Sequence, residues 1–184
     1  MDLYKAIKTR RSVREFKSEP IPDDVLKRIV DSAMWAPSAL NSQNWKFYVL
    51  TGDKRNGFAK LLQPIFDQMK ETIEKNYGPK DVEIRRRLYM DAGGAPVIIV
   101  CYVEEGTWKS DVTDPSMACQ NILLAATAEG LGSLFIGGVR HVKDSINKFL
   151  NEENLLLLGA ILLGYPESIP EPRPRRQNQV IWLE

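Results

Sequence analysis

Apolar residues recur at helical spacing over several stretches of the chain and run unbroken over two others. Near the start, Leu3, Ala6 and Ile7 share one side of a short helix that Asp2 can cap. Thr9 to Pro20 reads instead as a basic turn and an extended stretch, because Arg10, Arg11 and Arg14 interrupt any apolar period. Pro22, Asp23 and Asp24 mark the next helix start, with Pro in the first turn and acids at the positive dipole end. Val25, Leu26, Ile29, Val30 and Ala33 follow at helical spacing, and Pro37 stops the helix. Ala36 to Asn44 is a polar loop, and Trp45 to Thr51 a strand. One long helix is expected from about Lys54 to Lys75, with Pro64 as its weak point. Asn76-Tyr77-Gly78-Pro79 breaks the chain, a charged helix runs from Asp81 to Asp91, and Gly93-Gly94 turns it again. Pro96 opens a buried strand, Val97 to Val103.

The best-patterned helix spans Asp114 to Leu131, with Asp114 as N-cap, Pro115 in the first turn and Gly130 or Gly132 at its end. Met117, Asn121, Leu124, Ala125 and Ala128 share one face, and the many alanines would let another helix approach closely. Ser133 to Ile136 is a short strand ending at Gly137-Gly138, Val142 to Leu150 a short helix, and Leu155 to Leu163 a buried strand. Beyond Gly164, Pro166, Pro170, Pro172 and Pro174 forbid regular structure, yet the tail ends in the β-forming run Val180-Ile181-Trp182-Leu183. Such an arm can add its strand to a partner subunit's sheet or fold back on its own subunit, and periodicity does not choose between them.

The 184 residues are 43% hydrophobic and 27% charged, which suits one compact domain with a sizeable core. A formal net charge of +1 leaves no global field to recruit nucleic acid or an anionic membrane, so any anion site must be local. The longest apolar run is too short to span a bilayer, and the charged start, Met1-Asp2-Leu3-Tyr4-Lys5, is no signal peptide. Cys101 and Cys119 fall in apolar surroundings of different elements and read as buried, inert thiols. A reducing, cytoplasmic setting is the simplest expectation.

Acid–base and metal machinery is scarce. His141 is the one histidine, and neither GxxxxGK[ST] nor GxGxxG occurs. Any chemistry must therefore be borrowed from a cofactor. Three stretches could hold one. Arg10-Arg11-Ser12-Val13-Arg14 offers three guanidiniums and a hydroxyl to a phosphate, although a solvated basic turn is the commoner reading of so short a cluster. The loop Pro37-Ser38-Ala39-Leu40-Asn41-Ser42-Gln43-Asn44-Trp45 is dense in groups that can read a polar heterocycle, or that simply cap a helix and form a turn. Trp45 itself reads as core. Gly137 and Gly138 after a strand let backbone N–H groups approach a planar ring, or make a tight turn.

In this order the three motifs resemble the nitroreductase-like flavoprotein family. The match extends through Gln120-Asn121-Ile122-Leu123-Leu124-Ala125-Ala126, Gly130-Leu131-Gly132 and Leu163-Gly164-Tyr165-Pro166 to the arginines of the tail, nearly the whole chain. The resemblance implies an α+β sandwich: a central, mostly antiparallel sheet flanked by helices, with a C-terminal strand exchanged in a homodimer and FMN at the subunit interface. It implies a single FMN-binding domain over residues 1–184 with an extended arm from about 165 to 184. By the same resemblance Arg10 and Ser12 bind phosphate with Arg11 beside them, and Arg14 reaches the pyrimidine side of the ring. Pro37, Ser38, Ala39 and Asn41 are laid over the flavin by the other subunit. Ile136, Gly137 and Gly138 lie beside the ring, where the Gly137 N–H meets the flavin N5 atom. Arg173 and Arg175 close on the phosphate, with Arg176 a substitute. The chain departs from many members at Asn44, where they carry Pro, and from larger members at Gly137, where they carry Glu. The segment between Tyr102 and Asp114 is short for the family, which implies an open active site.

The expected activity is that of an FMN-dependent NAD(P)H oxidoreductase in two steps, hydride from NAD(P)H to the flavin and then to a small-molecule electron acceptor such as a nitroaromatic or quinone. Two rivals share these residues: a flavin-binding or flavin-storage protein without significant turnover, and an anion-binding scaffold without flavin.

Overall fold

The structure is a computed structural model that describes residues 1–104 and 112–183. Its centre is one antiparallel sheet of four strands in the order β1-β2-β4-β3, with β1 at Trp45–Leu50, β2 at Val97–Val103, β3 at Gly132–Ile136 and β4 at Leu156–Gly164. β2 and β4 are the central pair and are buried on both faces, which explains their unbroken apolar sequences. Side chains still alternate. Ile98, Val100 and Tyr102 of β2 join one core layer, whereas Val97, Ile99, Cys101 and Val103 join the other.

The first layer is covered by α3 (Gly52–Lys60), α4 (Gln63–Asn76), α5 (Pro79–Asp91) and α7 (Lys143–Leu150), through residues such as Phe58, Ile65, Leu88 and Ile146. The second is covered by α2 (Asp23–Asp31) and α6 (Thr113–Ala128), through Ile29, Ala118, Ile122 and Ala126. The arrangement is the expected α+β sandwich. α1 (Leu3–Thr9) is capped as its sequence foretells, since the Asp2 carboxylate accepts from the Lys5 N–H at 3.0 Å.

Four local expectations change. The single helix over residues 54–75 is two, because the chain turns at Leu61–Leu62 and Pro64 lies in the first turn of α4, where its missing N–H costs nothing. Pro22 is the N-cap of α2 rather than a first-turn residue. After Asp31 the chain tightens into a 3-10 turn, Ser32–Trp35, before Pro37. Asp114 lies in the first turn of α6, not at its N-cap, and its carboxylate is engaged elsewhere. The segment between Tyr102 and Asp114, whose shortness implied an open active site, falls largely on residues 105–111, outside the described residues. Cys101 and Cys119 are buried and free, and the Cys101 thiol is pushed up by Cys119 beside it and by burial, so it stays a poor nucleophile.

The turn that ends α5 fixes where the N-terminal basic strand can lie. Ala92, Gly93 and Gly94 all have positive φ, at 48°, 63° and 80°. Buried Arg55 holds this turn: its guanidinium donates to the carbonyls of Ala95 and Asp91 and to the Asp91 carboxylate, each at 2.6 Å. Three short bonds offset the cost of placing that charge inside. The Gly93 carbonyl then accepts from the Phe16 N–H at 2.9 Å. A Cβ at Gly93 would lie 2.1 Å from the Arg14 carbonyl oxygen, so only glycine lets the two backbones meet.

Gly93→Ala is expected to lower unfolding stability by more than about 2 kcal/mol, the left-handed strain plus a backbone clash. Gly52→Ala has a similar φ of +52° but nothing within 4 Å of its new Cβ, and should lose only about 1 kcal/mol. Urea midpoints of the two variants test the difference; equal losses would remove the close approach as the cause.

Candidate cofactor site

The basic segment is extended, and backbone hydrogen bonds bind it along its length. The Val13 N–H donates to Ser133 O at 3.1 Å, the Lys17 N–H to Tyr165 O at 2.9 Å, and the Glu167 N–H to Glu15 O at 3.0 Å. Val13 and Phe16 point into the core, with Val13 lying against Gly132, where a Cβ would come within 2.8 Å of it. These bonds set the chain leaving β4 beside the chain leaving α1. Arg87 of α5 ties both, bonding Glu15 at 3.3 Å and Glu167 at 3.0 Å. Being half exposed, such pairs contribute at most about 1 kcal/mol each and serve chiefly to align.

Both ends of the chain therefore supply cations to one place. A cavity of about 210 Å³ is lined by Arg10, Arg11, Ser12, Arg14, Pro170, Glu171, Arg173 and Arg175, five arginines against a single glutamate. A second cavity of about 430 Å³ shares Arg14, Pro170, Glu171 and Arg173 with it and reaches Lys80, Ile84 and Arg85 of α5. Arg14 lies at the junction and donates to Ser12 O at 3.0 Å. Burial holds its guanidinium below the usual arginine range, and the neighbouring charges of Arg85 and Arg173 push the same way. Arg11 donates to Lys8 O and Arg10 O, but its Nε is buried without a partner, as is the Nε of Arg85. The Arg85 guanidinium carbon lies over the Tyr77 ring, 3.7 Å from its centroid. Like charges gathered in this way, with donors left over, fit an anion held by several guanidiniums.

β3 ends at Ile136, and Gly137 and Gly138 begin the 3-10 turn that follows; none of the three lines either cavity. A Cβ on Gly138 would stand 3.4 Å from the Tyr89 hydroxyl oxygen, and Tyr89 in turn feels the charges of Arg85 and Arg14. Burial raises the Tyr89 phenol above its ordinary value, so the group stays protonated near neutrality. Arg173 and Arg175 join the N-terminal arginines, whereas Arg176 is not among the lining residues. The residues that sequence reasoning missed are Lys80, Arg85, Tyr77 and Tyr89. Arg85 and Tyr89 stand four apart on α5, a spacing that puts both on one helix face, but charged residues crowd that helix and nothing in the pattern singles these out.

Pro37, Ser38, Ala39 and Asn41 do not line either cavity. Their loop is anchored on α6 instead, where Ala39 N–H donates to the Asp114 carboxylate at 3.0 Å. Its Leu40 is 83% exposed. The terminal run is open as well: Ile181 is 81% and Trp182 87% exposed. No helix among the described residues is long and apolar enough to cross a membrane.

Residues 7–165 match the model of the nitroreductase family. A Methanothermobacter thermautotrophicus protein called an NADH dehydrogenase/NAD(P)H nitroreductase is 34% identical over 193 residues, covering 100% of this chain and 87% of that protein. Nitroreductase NfnB of Mycolicibacterium smegmatis is 25% identical, covering 88% of this chain and 81% of its own. Among solved structures, the FMN-dependent NfnB from Mycobacterium smegmatis in complex with NADPH superimposes with a TM-score of 0.80 at 21% identity, over 98% of this chain and 97% of that one, a likeness of fold. A nitroreductase from Desulfovibrio desulfuricans in complex with FMN gives 0.75 at 25% identity, over 100% and 97%. With a family model spanning most of its length and a relative above 30% identity along all of it, this chain belongs to the nitroreductase family.

Proposed function

We propose that this protein is an FMN-dependent NAD(P)H oxidoreductase, a single FMN-binding unit over residues 1–184 that works as a cytoplasmic homodimer. Its acceptors are nitroaromatics, quinones or similarly flat molecules, reduced by a two-step hydride exchange. The observation that carries the reading is the cavity in which arginines from the two ends of the chain meet, five of them facing one glutamate. Relatives named as nitroreductases, and solved neighbours described with FMN or NADPH, support it.

FMN, when bound, supplies the hydride chemistry that no side chain here can perform. The chain's own residues bind and orient. Arg10, Ser12, Arg173 and Arg175 hold the phosphate, with Arg11 alongside. Arg14 and Arg85 would hold fixed positive charge toward the flavin, which would favour its anionic reduced form. Ile136, Gly137 and Gly138 would close one side, the two glycines adding no side chain of their own between backbone and ring. No side chain is assigned an obligatory acid role.

The second copy supplies what one chain lacks. β1 is an edge strand, and beside it Leu26, Val30, Met34 and Val49 line an open groove of about 690 Å³. The exposed Val180–Leu183 run of a second copy suits that edge by strand addition. Pro37, Ser38, Ala39 and Asn41 of that copy would roof the ring.

Purified protein is expected to show a flavin absorption band that bleaches on anaerobic addition of NADH or NADPH and returns when a quinone is added. A band that persists through both additions would identify a storage protein instead; colourless protein that takes up no added FMN would leave only an anion scaffold. Arg10→Ala is expected to weaken FMN binding about 10- to 100-fold, the worth of charge-assisted bonds of about 1.5–3 kcal/mol. Lys8→Ala, whose side chain is exposed and lines neither cavity, should change it less than twofold in the same fluorescence titration. Deleting residues 171–184 should weaken both the dimer and FMN binding, whereas Arg173→Ala with Arg175→Ala should weaken FMN alone. Size-exclusion chromatography separates the two, and a truncated chain that stays dimeric would take the arm out of the interface.

A further inference from the structure

The loop between α2 and β1 has a costly backbone. Leu40, Asn41 and Gln43 have φ of 52°, 58° and 46°, left-handed values at three non-glycine residues within four positions. Each costs about 1–3 kcal/mol unless its surroundings enforce it. Asn41 tolerates this region through its short amide, but Leu40 has no such compensation. Leu40 also places a large apolar side chain almost wholly in solvent.

The bonds that hold this shape can be traced. Within the loop, the Gln43 N–H donates to Ser38 Oγ at 3.0 Å, and the N–H groups of Asn41 and Ser42 donate back to Ser38 O and Ala39 O, each at 3.0 Å. From outside comes one carboxylate. Asp114 of α6, 7% exposed, accepts from the Ala39 N–H at 3.0 Å and from the Ser42 hydroxyl at 3.4 Å through the same Oδ2. These two bonds bracket Leu40 and Asn41 on both sides. The capping role that Asp114 would have played at a helix start is therefore given to a loop more than seventy residues away in sequence.

We propose that Asp114 is the positioning residue of this loop: its carboxylate locks the left-handed backbone that presents Ser38, Ala39, Leu40 and Asn41 to the flavin bound by a second copy of the chain. Strain of this kind persists where the surrounding structure over-determines it, and clusters where a shape must exist before its ligand arrives. A preformed roof spares the dimer the ordering cost of the loop when FMN binds. Asp114 itself touches neither FMN nor substrate. The inference rests on the proposed FMN site and on the loop's role across the dimer.

The test compares wild type with Asp114→Ala and Asp114→Asn, the latter keeping one acceptor oxygen for the Ala39 N–H. Hydrogen exchange on the apoprotein reads the lock itself: the amides of Ala39, Asn41 and Gln43 are expected to exchange at least tenfold faster in Asp114→Ala while the amides of β2 and β4 keep their protection. With FMN added, Asp114→Ala should raise Kd at least tenfold and change the visible circular dichroism of the bound flavin. Asp114→Asn should restore most of both. Unchanged loop exchange overturns the proposal, as does faster exchange with FMN affinity and flavin dichroism left at wild-type values. Uniform loss of protection across the sheet, with no rescue by Asn, would make Asp114 a plain stability residue and also overturns it. Should wild type itself take up no FMN, the cofactor reading falls and this inference with it, a result told apart from the others by the wild-type titration alone.

Discussion

The backbone clamp on residues 13–17 is the constraint on which the rest of the site depends. An extended strand of basic sequence would ordinarily lie in solvent, where its arginines repel one another and scatter. Here the Gly93 carbonyl holds Phe16 from one side, while Tyr165 and Glu167 bond to Lys17 and Glu15 from the other. Val13 and Phe16 bury their side chains in the same core layer as β2 and β4. Hydrophobic anchoring and backbone pairing thus force Arg10, Arg11 and Arg14 to stay near the arm that carries Arg173 and Arg175.

Bringing these like charges together costs energy. The guanidinium of Arg14 is partly desolvated and lies near two others, which is why its proton is held less firmly than usual. Elsewhere in the molecule a buried arginine is fully satisfied: Arg55 directs its donors to two carbonyls and a carboxylate and rigidifies the turn beneath the site. Satisfied charge near the core thus contrasts with surplus charge in the cavity. The scaffold arginine fixes the turn, the turn fixes the strand, and the strand holds its arginines beside those of the tail.

Exposed apolar side chains raise a second question. The loop after α2 and the tail after Pro170 both leave apolar side chains, Leu40 and Trp182 among them, in solvent. A single chain has no use for them there, and burying such groups against a second copy would recover their transfer free energy of about 1.5–3 kcal/mol per large side chain. In the proposed dimer, the roof and the added edge strand would both come from another copy of the same sequence.

Periodicity was enough for much of the fold. The unbroken apolar runs of β2 and β4 can be stable only with both faces covered, so their burial and approximate limits were legible from the pattern, whereas the α+β sandwich was expected from the family resemblance. Family resemblance named the arginines, since a cluster of three basic residues has no meaning by charge alone. Other features arise between residues distant in the chain and carry no local signal. The break between α3 and α4 is set by packing over the sheet, which placed Pro64 at a helix start. Arg85 and Tyr89 join the site because α5 packs beside the N-terminal strand, and the Asp114 carboxylate answers a strained loop rather than its own helix end. Side-chain partners across such distances depend on where whole elements dock, and hydrophobic patterning determines which face docks but not which polar atoms then meet.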